Sequence, residues 1–314
     1  ARVVTQTCTL PLHQTLGRVL AADVAVPADV PPADNSAVDG YAIRASALAV
    51  HPALPVSARV AAGEPPGELT PGTAVRIFPG SEIPAGADAV VMQEDVTRDG
   101  DCIAFHRHPL PGLNIRHAGS DMKAGETVLE TGCRLGPREI AACAAAGAGV
   151  VRVRPRLRVA LLVTGDEVRM AGAARAAAEI WDVNTPMLAA ALTGAGLALV
   201  ATEHGADNPE GLARQLRDLA ARADLVITTG GISVGEEDHV KPALAILGAE
   251  TIFSGVAIKP GKPVSVGRIG RATWLGLPGN PLAAYVTWQV FGTALVRGLT
   301  GQAGPGPARR PVVT

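Results

Sequence analysis

The segment Thr228-Thr229-Gly230-Gly231-Ile232-Ser233-Val234-Gly235-Glu236-Glu237-Asp238 joins an apolar run to a helical one through a glycine-rich turn. Such a turn lets backbone N–H groups approach an anion, and the helix start behind it adds positive potential, so a phosphorylated ligand fits there. The plainer alternative is that Gly-Gly only permits a tight turn while the acids cap the helix. A second apolar run ends in Thr164-Gly165-Asp166-Glu167. Two carboxylates at that position could hold Mg²⁺ or orient a water, because hard cations take oxygen ligands. Asp207 follows the next strand-like run, and Asp238 is a further carboxylate on the same expected edge. Each alone reads equally as a cap or turn residue; the shared edge is what favours chemistry. Opposite in sign is Lys259-Pro260-Gly261-Lys262-Pro263, two ammonium groups on a stiff turn. They suit a small dianion such as phosphate or molybdate, with solvated surface lysines as the alternative.

Three further segments are ambiguous on residue chemistry alone. Pro278-Gly279-Asn280-Pro281 makes a strand-to-helix corner that either lines a pocket or is simply a rigid turn. The loop Asp34-Asn35-Ser36-Ala37-Val38-Asp39-Gly40-Tyr41-Ala42 is dense in polar side chains, which Asx-turns also explain, and Asp121 is similar. The histidines form no HxxxH pair and no Ser/His/Asp set, and they read as surface or packing residues. Cys8, Cys102, Cys133 and Cys143 show no CxxC spacing, so neither a metal cage nor a disulfide scaffold is expected.

The elements that must position these residues differ along the chain. Before about residue 135, prolines such as Pro27, Pro31, Pro52, Pro65 and Pro84 break any long helix, and short strands with turns are predicted. Pro137 to Ala146 is the exception, with Pro at a helix start followed by good helix formers. From Leu157 the pattern alternates: strand to Thr164, helix from Thr185 to Thr193, strand from Leu197 to Thr202, amphipathic helix from Pro209 to Ala221, strand from Leu225 to Thr229. A short strand from Trp274 to Leu277 then leads into an apolar helix from Leu282 to Leu295. Apolar strands separated by helices predict an α/β fold with a parallel, doubly wound sheet, its ligand at the carboxyl ends of the strands.

Composition narrows the function classes. With 28 basic and 29 acidic residues among 314, the formal charge is −1, which leaves no electrostatic footprint for nucleic acid or an anionic membrane. Apolar residues make up 47% but aromatics 3%, so the cores are built from aliphatic side chains. No secretory leader or membrane-spanning run is evident, and a cytoplasmic location is expected.

Taken together, DNSAVDGYA, VTGDEV, TTGGISVGEEDHVK, AIKPGKP and GLPGNP, in this order, resemble the MoeA/gephyrin E-domain family of molybdopterin molybdenumtransferases, from about Leu12 to Gly301. The resemblance implies an enzyme of molybdenum cofactor biosynthesis that inserts molybdenum from molybdate into adenylylated molybdopterin, with Mg²⁺, and releases AMP. It implies a homodimer, with a molybdoenzyme or another cofactor-biosynthesis protein as a candidate partner. It marks Asp39, Asp121, Glu167, Asp207 and Asp238 as functional carboxylates, Asp207 and Asp238 being the metal ligands. Gly230, Gly231, Ser233, Lys259, Lys262, Pro278 and Pro281 are marked as binding residues, and Asp39 is expected to reach a site completed by the other subunit.

The same resemblance implies a MogA/MoaB-like doubly wound molybdopterin-binding domain over 155–303, followed by a tail over 304–314. Before it come a small β-rich domain over 27–118 and an elongated, mostly β, discontinuous dimerisation subdomain over 1–26 and 119–154. Two positions depart from the family pattern: Pro79 stands where a Thr is usual, and Gly255 where a further lysine often precedes the KPGKP turn. The sequence ends at Thr314, near where the family continues into an all-β domain, so a short form lacking that domain is expected. A non-catalytic carrier of molybdopterin or finished cofactor is the alternative reading.

Overall fold

The structure, a computed structural model, describes residues 4–193, 196–232 and 238–304. The chain divides into two compact units, one of Val24–Val128 with Ala142–Ala148, the other of Ala1–Asp23, Leu129–Ala141 and Gly149–Thr314.

The first of these is built on a six-stranded sheet of β1 (Gly40–Ile43), β2 (Ala53–Val60), β3 (Ala74–Ile77), β4 (Ala89–Met92), β5 (Val96–Asp99) and β6 (Cys102–Phe105), in the order β4-β1-β3-β2-β6-β5. Only β2 and β3 pair in parallel; the other neighbours are antiparallel. Alternate residues of β1 feed separate clusters, Tyr41 and Ile43 into one and Ala42 into another, because successive side chains leave a strand on opposite faces. The proline-punctuated half therefore forms short strands, as its composition predicts.

Helix α1 (Pro137–Ala145) starts where Pro137 presets the first turn and the Glu139 carboxylate accepts the Gly136 N–H at 3.0 Å. In the second unit, Cys8–Pro11 pairs antiparallel with Val150–Val153. The main sheet follows: β7 (Leu157–Val163), α2 (Asn184–Thr193), β8 (Leu197–His204), α3 (Pro209–Arg222), β9 (Leu225–Thr229), α4 (Val240–Ile246), β10 (Glu250–Ser254), β11 (Ser265–Ile269), β12 (Ala272–Leu277), α5 (Pro281–Thr287) and α6 (Thr293–Thr300). The strand order is β8-β7-β9-β12-β11-β10.

Both faces of this sheet are covered. Leu157, Val159, Leu161 and Val163 pack with Leu188 and Leu192 of α2, Ala284 of α5 and Leu299 of α6. On the other face Ala160, Leu162 and Val226 meet Leu212, Leu216 and Leu219 of α3 and Val240, Ala243 and Leu244 of α4. Burial on both faces is why β7 and β9 read as nearly unbroken apolar runs. Helix α3 starts where Asn208 accepts the Gly211 N–H at 2.7 Å and Pro209 follows it.

Two expectations need correction. The sheet is parallel only across β8-β7-β9-β12; β12-β11 and β11-β10 are antiparallel. The apolar helix predicted from Leu282 to Leu295 is interrupted by a π turn at Trp288–Gly292, with α5 before it and α6 after it. Apolar pattern alone does not register an inserted residue in the i→i−4 ladder. Among the described residues no helix is long and apolar enough to cross a membrane.

Candidate functional site

From β7 the chain crosses to β8 on one side and returns to β9 on the other, so the loops after β7 and β9 diverge at the carboxyl edge. A crevice at such a switch point is where open α/β sheets bind ligands. Here the four parallel strands deliver Thr164–Val168, Gly205–Asp207, Gly230–Gly231 and Gly279–Pro281 to a cavity of about 820 Å³. The segment before α2, including Trp181, Asp182 and Asn184, forms another wall. The strand ends are tied together: Thr164 N–H donates to Thr229 O at 3.1 Å, and Gly230 N–H to Leu277 O at 3.1 Å. Gly230 has φ +84° and a Cβ there would lie 2.8 Å from Thr164 Oγ1, so only glycine brings this backbone to the cavity wall without strain.

The electrostatics are lopsided. Asp166, Glu167, Asp182, Asp207 and Asp238 all line the cavity, and His239 is the one basic side chain in its described lining. Asp166 and Asp207 share a side-chain hydrogen bond, and this bond, then desolvation, then the Asp207 charge hold the Asp166 carboxyl above its ordinary range. His239 Nε2 lies 3.6 Å from Asp207 Oδ1 on the other side. Asp182 is otherwise engaged, accepting the Thr185 N–H at 2.9 Å at the start of α2. Asn184, 7% exposed, donates to Gly279 O at 2.7 Å, whereas its Oδ1 is buried without a hydrogen-bond partner among the described residues.

Of the residues expected from sequence, Glu167, Asp207, Asp238, Gly230, Gly231 and Pro281 come together around this cavity. Pro278 is buried one residue before the lining begins at Gly279. Lys259 and Lys262 are exposed in the hairpin between β10 and β11. The register Ser254↔Ser265↔Gly276 puts that hairpin on the carboxyl edge of the sheet, although neither lysine lines the cavity. Asp39 and Asp121 belong to the other unit, where Asp121 accepts from Arg116 Nη2 at 2.6 and 2.7 Å. Ser233 lies outside the described residues.

Asp166 is one of the two carboxylates that the sequence offers for Mg²⁺ or a water, although the family resemblance does not mark it; Asn280 is read only as part of its corner, His239 as a surface or packing residue, and Asn184 not at all. Asp166 stands in the recognised TGDE motif, but adjacency to Glu167 does not say which carboxylate meets Asp207. Asn184 carries no linear signal, and His239 follows Asp238 without any metal-like spacing. Among the described residues no three or more His, Cys, Asp or Glu side chains form a group able to hold a metal ion. Two carboxylates bonded to each other remain suited to Mg²⁺, which binds through one or two carboxylates and completes its shell with substrate phosphates and water.

Comparison with known proteins gives the family. Residues 1–147 match the family described as MoeA N-terminal region (domain I and II), and residues 160–297 the family described as probable molybdopterin binding domain. The chain is 40% identical over 300 residues to the molybdopterin molybdenumtransferase of Haemophilus influenzae, spanning 95% of this chain and 74% of that protein. It is 39% identical over 296 residues to molybdopterin molybdenumtransferase 2 of Mycobacterium tuberculosis, spanning 90% and 73%. The crystal structure of the molybdopterin biosynthesis moeA protein of Pyrococcus horikoshii superposes with a TM-score of 0.81 at 29% identity, covering 96% of this chain and 76% of that one.

Proposed function

The chain belongs to the MoeA family of molybdopterin molybdenumtransferases, and from that premise we propose that it works in molybdenum cofactor biosynthesis as a transferase, with molybdopterin held at the carboxyl edge of the main sheet. The substrates are adenylylated molybdopterin and molybdate; the two dithiolene sulfurs replace two oxo groups of molybdate, which leave as water with no change of oxidation state, and one water cleaves the phosphate bridge so that AMP leaves. The observation that carries this reading is the Asp166–Asp207 pair at the switch point, facing the Gly230–Gly231 turn across one cavity.

A phosphate-bearing ligand would be repelled by five carboxylates unless a cation stood between them. Asp166 and Asp207 are the residues that would hold Mg²⁺, Asp207 in common with the family-based assignment to Asp207 and Asp238. An Mg²⁺ held by Asp166 and Asp207 would supply the positive charge that the substrate phosphates need. The Gly231 backbone N–H orients the same phosphates, the Gly230 N–H being used to tie the turn to Leu277 O. Glu167 and Asp238, on the same rim, take up the proton of an attacking water. Lys259 and Lys262 hold the molybdate dianion before insertion.

The protein acts as a cytoplasmic homodimer in which Asp39, with Asp121, serves the cavity of the partner subunit. AMP release from adenylylated molybdopterin, dependent on both molybdate and Mg²⁺, tests the reaction; no release at saturating substrate overturns it. The shared site is tested by mixing inactive Asp39→Ala and Asp207→Ala subunits. Recovered activity supports the dimer, and failure to recover it counts against Asp39 acting across subunits.

A further inference from the structure

Where β7 and β8 begin, at the opposite edge of the same sheet and within the same unit, lies a second cavity of about 300 Å³. Its described lining includes Arg18, Arg134, Arg154 and Arg297 and neither Asp nor Glu. Among the described residues Arg18, Arg134 and Arg154 form no ion pair. Arg154 donates to Thr5 O at 3.0 Å, and Arg297 to Gly304 O at 3.1 Å. Arg18 Nε is buried with no hydrogen-bond partner, and burial, then the Arg156 charge, hold its guanidinium below the ordinary value.

The cavity is walled and floored by residues that resist collapse. Trp288, 2% exposed, forms one wall and is set by the π turn, a helix irregularity that is frequent at functional sites. On the floor the Gly17 and Gly196 backbones meet so closely that a Cβ on Gly196, at φ +71°, would lie 2.2 Å from Gly17 O. Arg18, half-buried Arg154 and exposed Arg134 bring three like charges together with no ion pair among the described residues, which raises the free energy of this edge, and an anion lowers it. Guanidinium forks match the paired oxygens of a tetrahedral oxyanion better than any point charge does.

We propose that this cavity is a second, anion-binding site separate from the carboxylate-lined one, taking a tetrahedral oxyanion either free or as the phosphate of a nucleotide. Its existence does not depend on the reaction assigned to the other edge.

The test is calorimetric titration of the full chain with inorganic phosphate, molybdate and AMP, read in parallel by Trp288 fluorescence with Trp288→Phe as the signal control. Binding is expected to weaken about 10-fold for each guanidinium removed in Arg134→Gln and Arg154→Gln. Arg154→Lys, which keeps the charge, is expected to fall in between. Similar affinities for phosphate and AMP identify the free oxyanion; AMP at least tenfold tighter identifies the nucleotide. Absence of binding by all three anions overturns the proposal. So does binding that Arg134→Gln, Arg154→Gln and Arg154→Lys all leave unchanged while circular dichroism shows them folded.

Discussion

The four parallel strands of the main sheet run out of an arginine-rich edge into a carboxylate-rich one. At the carboxyl edge Asp166, Glu167, Asp207 and Asp238 surround a large cavity. At the amino edge Arg18, Arg134, Arg154 and Arg297 surround a small one, while Arg156, Arg158, Arg217 and Arg271 line a neighbouring hollow with Asp224. Helix starts point their free N–H groups at the first edge and helix ends their free C=O groups at the second, so each charge set partly complements the dipoles it meets. The difference lies in what remains unmatched. At the amino edge Asp224 already accepts from Arg158, which makes part of it structural. At the carboxyl edge the Asp166 and Asp207 carboxylates meet each other, and their shared hydrogen bond, then desolvation, then their like charges hold the Asp166 carboxyl above its ordinary range.

The sharpest way to break this contrast is to neutralise one member of the pair. Asp207→Asn is expected to lower AMP release at least ~100-fold, the scale of losing a positioned catalytic group. Asp166→Asn should lower activity comparably and raise the thermal midpoint of the ligand-free protein at neutral pH. The sign follows from the direction of the Asp166 shift. Its carboxyl keeps a proton above the ordinary carboxylate range, so the associated stability is complete at acid pH and is lost as pH rises through the raised value. Thermal melts of wild type and Asp166→Asn from pH 4 to 8 should therefore diverge on the alkaline side. Parallel curves would mean that the pair carries no mutual repulsion.

A glycine-to-alanine swap at each edge should separate function from stability. Gly196→Ala meets both a left-handed backbone and the Gly17 carbonyl, so it should destabilise the fold by about 2 kcal/mol or more. Gly230→Ala has a left-handed backbone too but meets the Thr164 hydroxyl at 2.8 Å and the Thr164 carbonyl at 3.1 Å, against 2.2 Å from the Gly17 carbonyl at Gly196, and should cost less stability while removing a larger share of activity. Denaturant melts and AMP release on both variants measure this, and equal behaviour would erase the distinction between a binding turn and a packing seam. Smaller again is the effect of Lys259→Ala or Lys262→Ala. Each is expected to raise the KM for molybdate about 10-fold with little change in the melting temperature, since both side chains are exposed.

The carboxyl edge was largely legible in sequence, and the amino edge was not. TGDE, TTGG and LPGNP each follow an apolar run directly, so strand periodicity alone sends them to one edge. Which of Asp166 and Glu167 meets Asp207 depends on loop conformation, which no period encodes. The arginines of the small cavity come from four separate stretches of chain, and only the folded sheet brings them together. The antiparallel β10 was hidden for a different reason: its residues are exposed or half-buried at the sheet margin, so it lacks the apolar signature of β7 and β9. The π turn was hidden because one extra residue in a helix leaves its apolar content unchanged.

The mildest substitution asks whether the two edges are independent. Asp224 accepts from the Arg158 backbone at 2.9 Å and from its guanidinium at 2.8 and 3.2 Å, and the Asp224 carbonyl accepts the Thr273 N–H at 3.0 Å. This cluster sits where β7, β9 and β12 begin. Arg158→Ala removes the guanidinium bonds and keeps the backbone one. Because the Arg158 side chain is 51% exposed, solvent screening limits the expected loss to roughly 0.5–1 kcal/mol, smaller still in high salt. AMP release should stay within about twofold of wild type, since a surface ion pair of this strength leaves the folded population nearly unchanged. If Arg158→Ala instead lowered turnover as Asp207→Asn does, the strands would be transmitting strain from one edge to the other. The sheet would then be a coupling element as well as a scaffold.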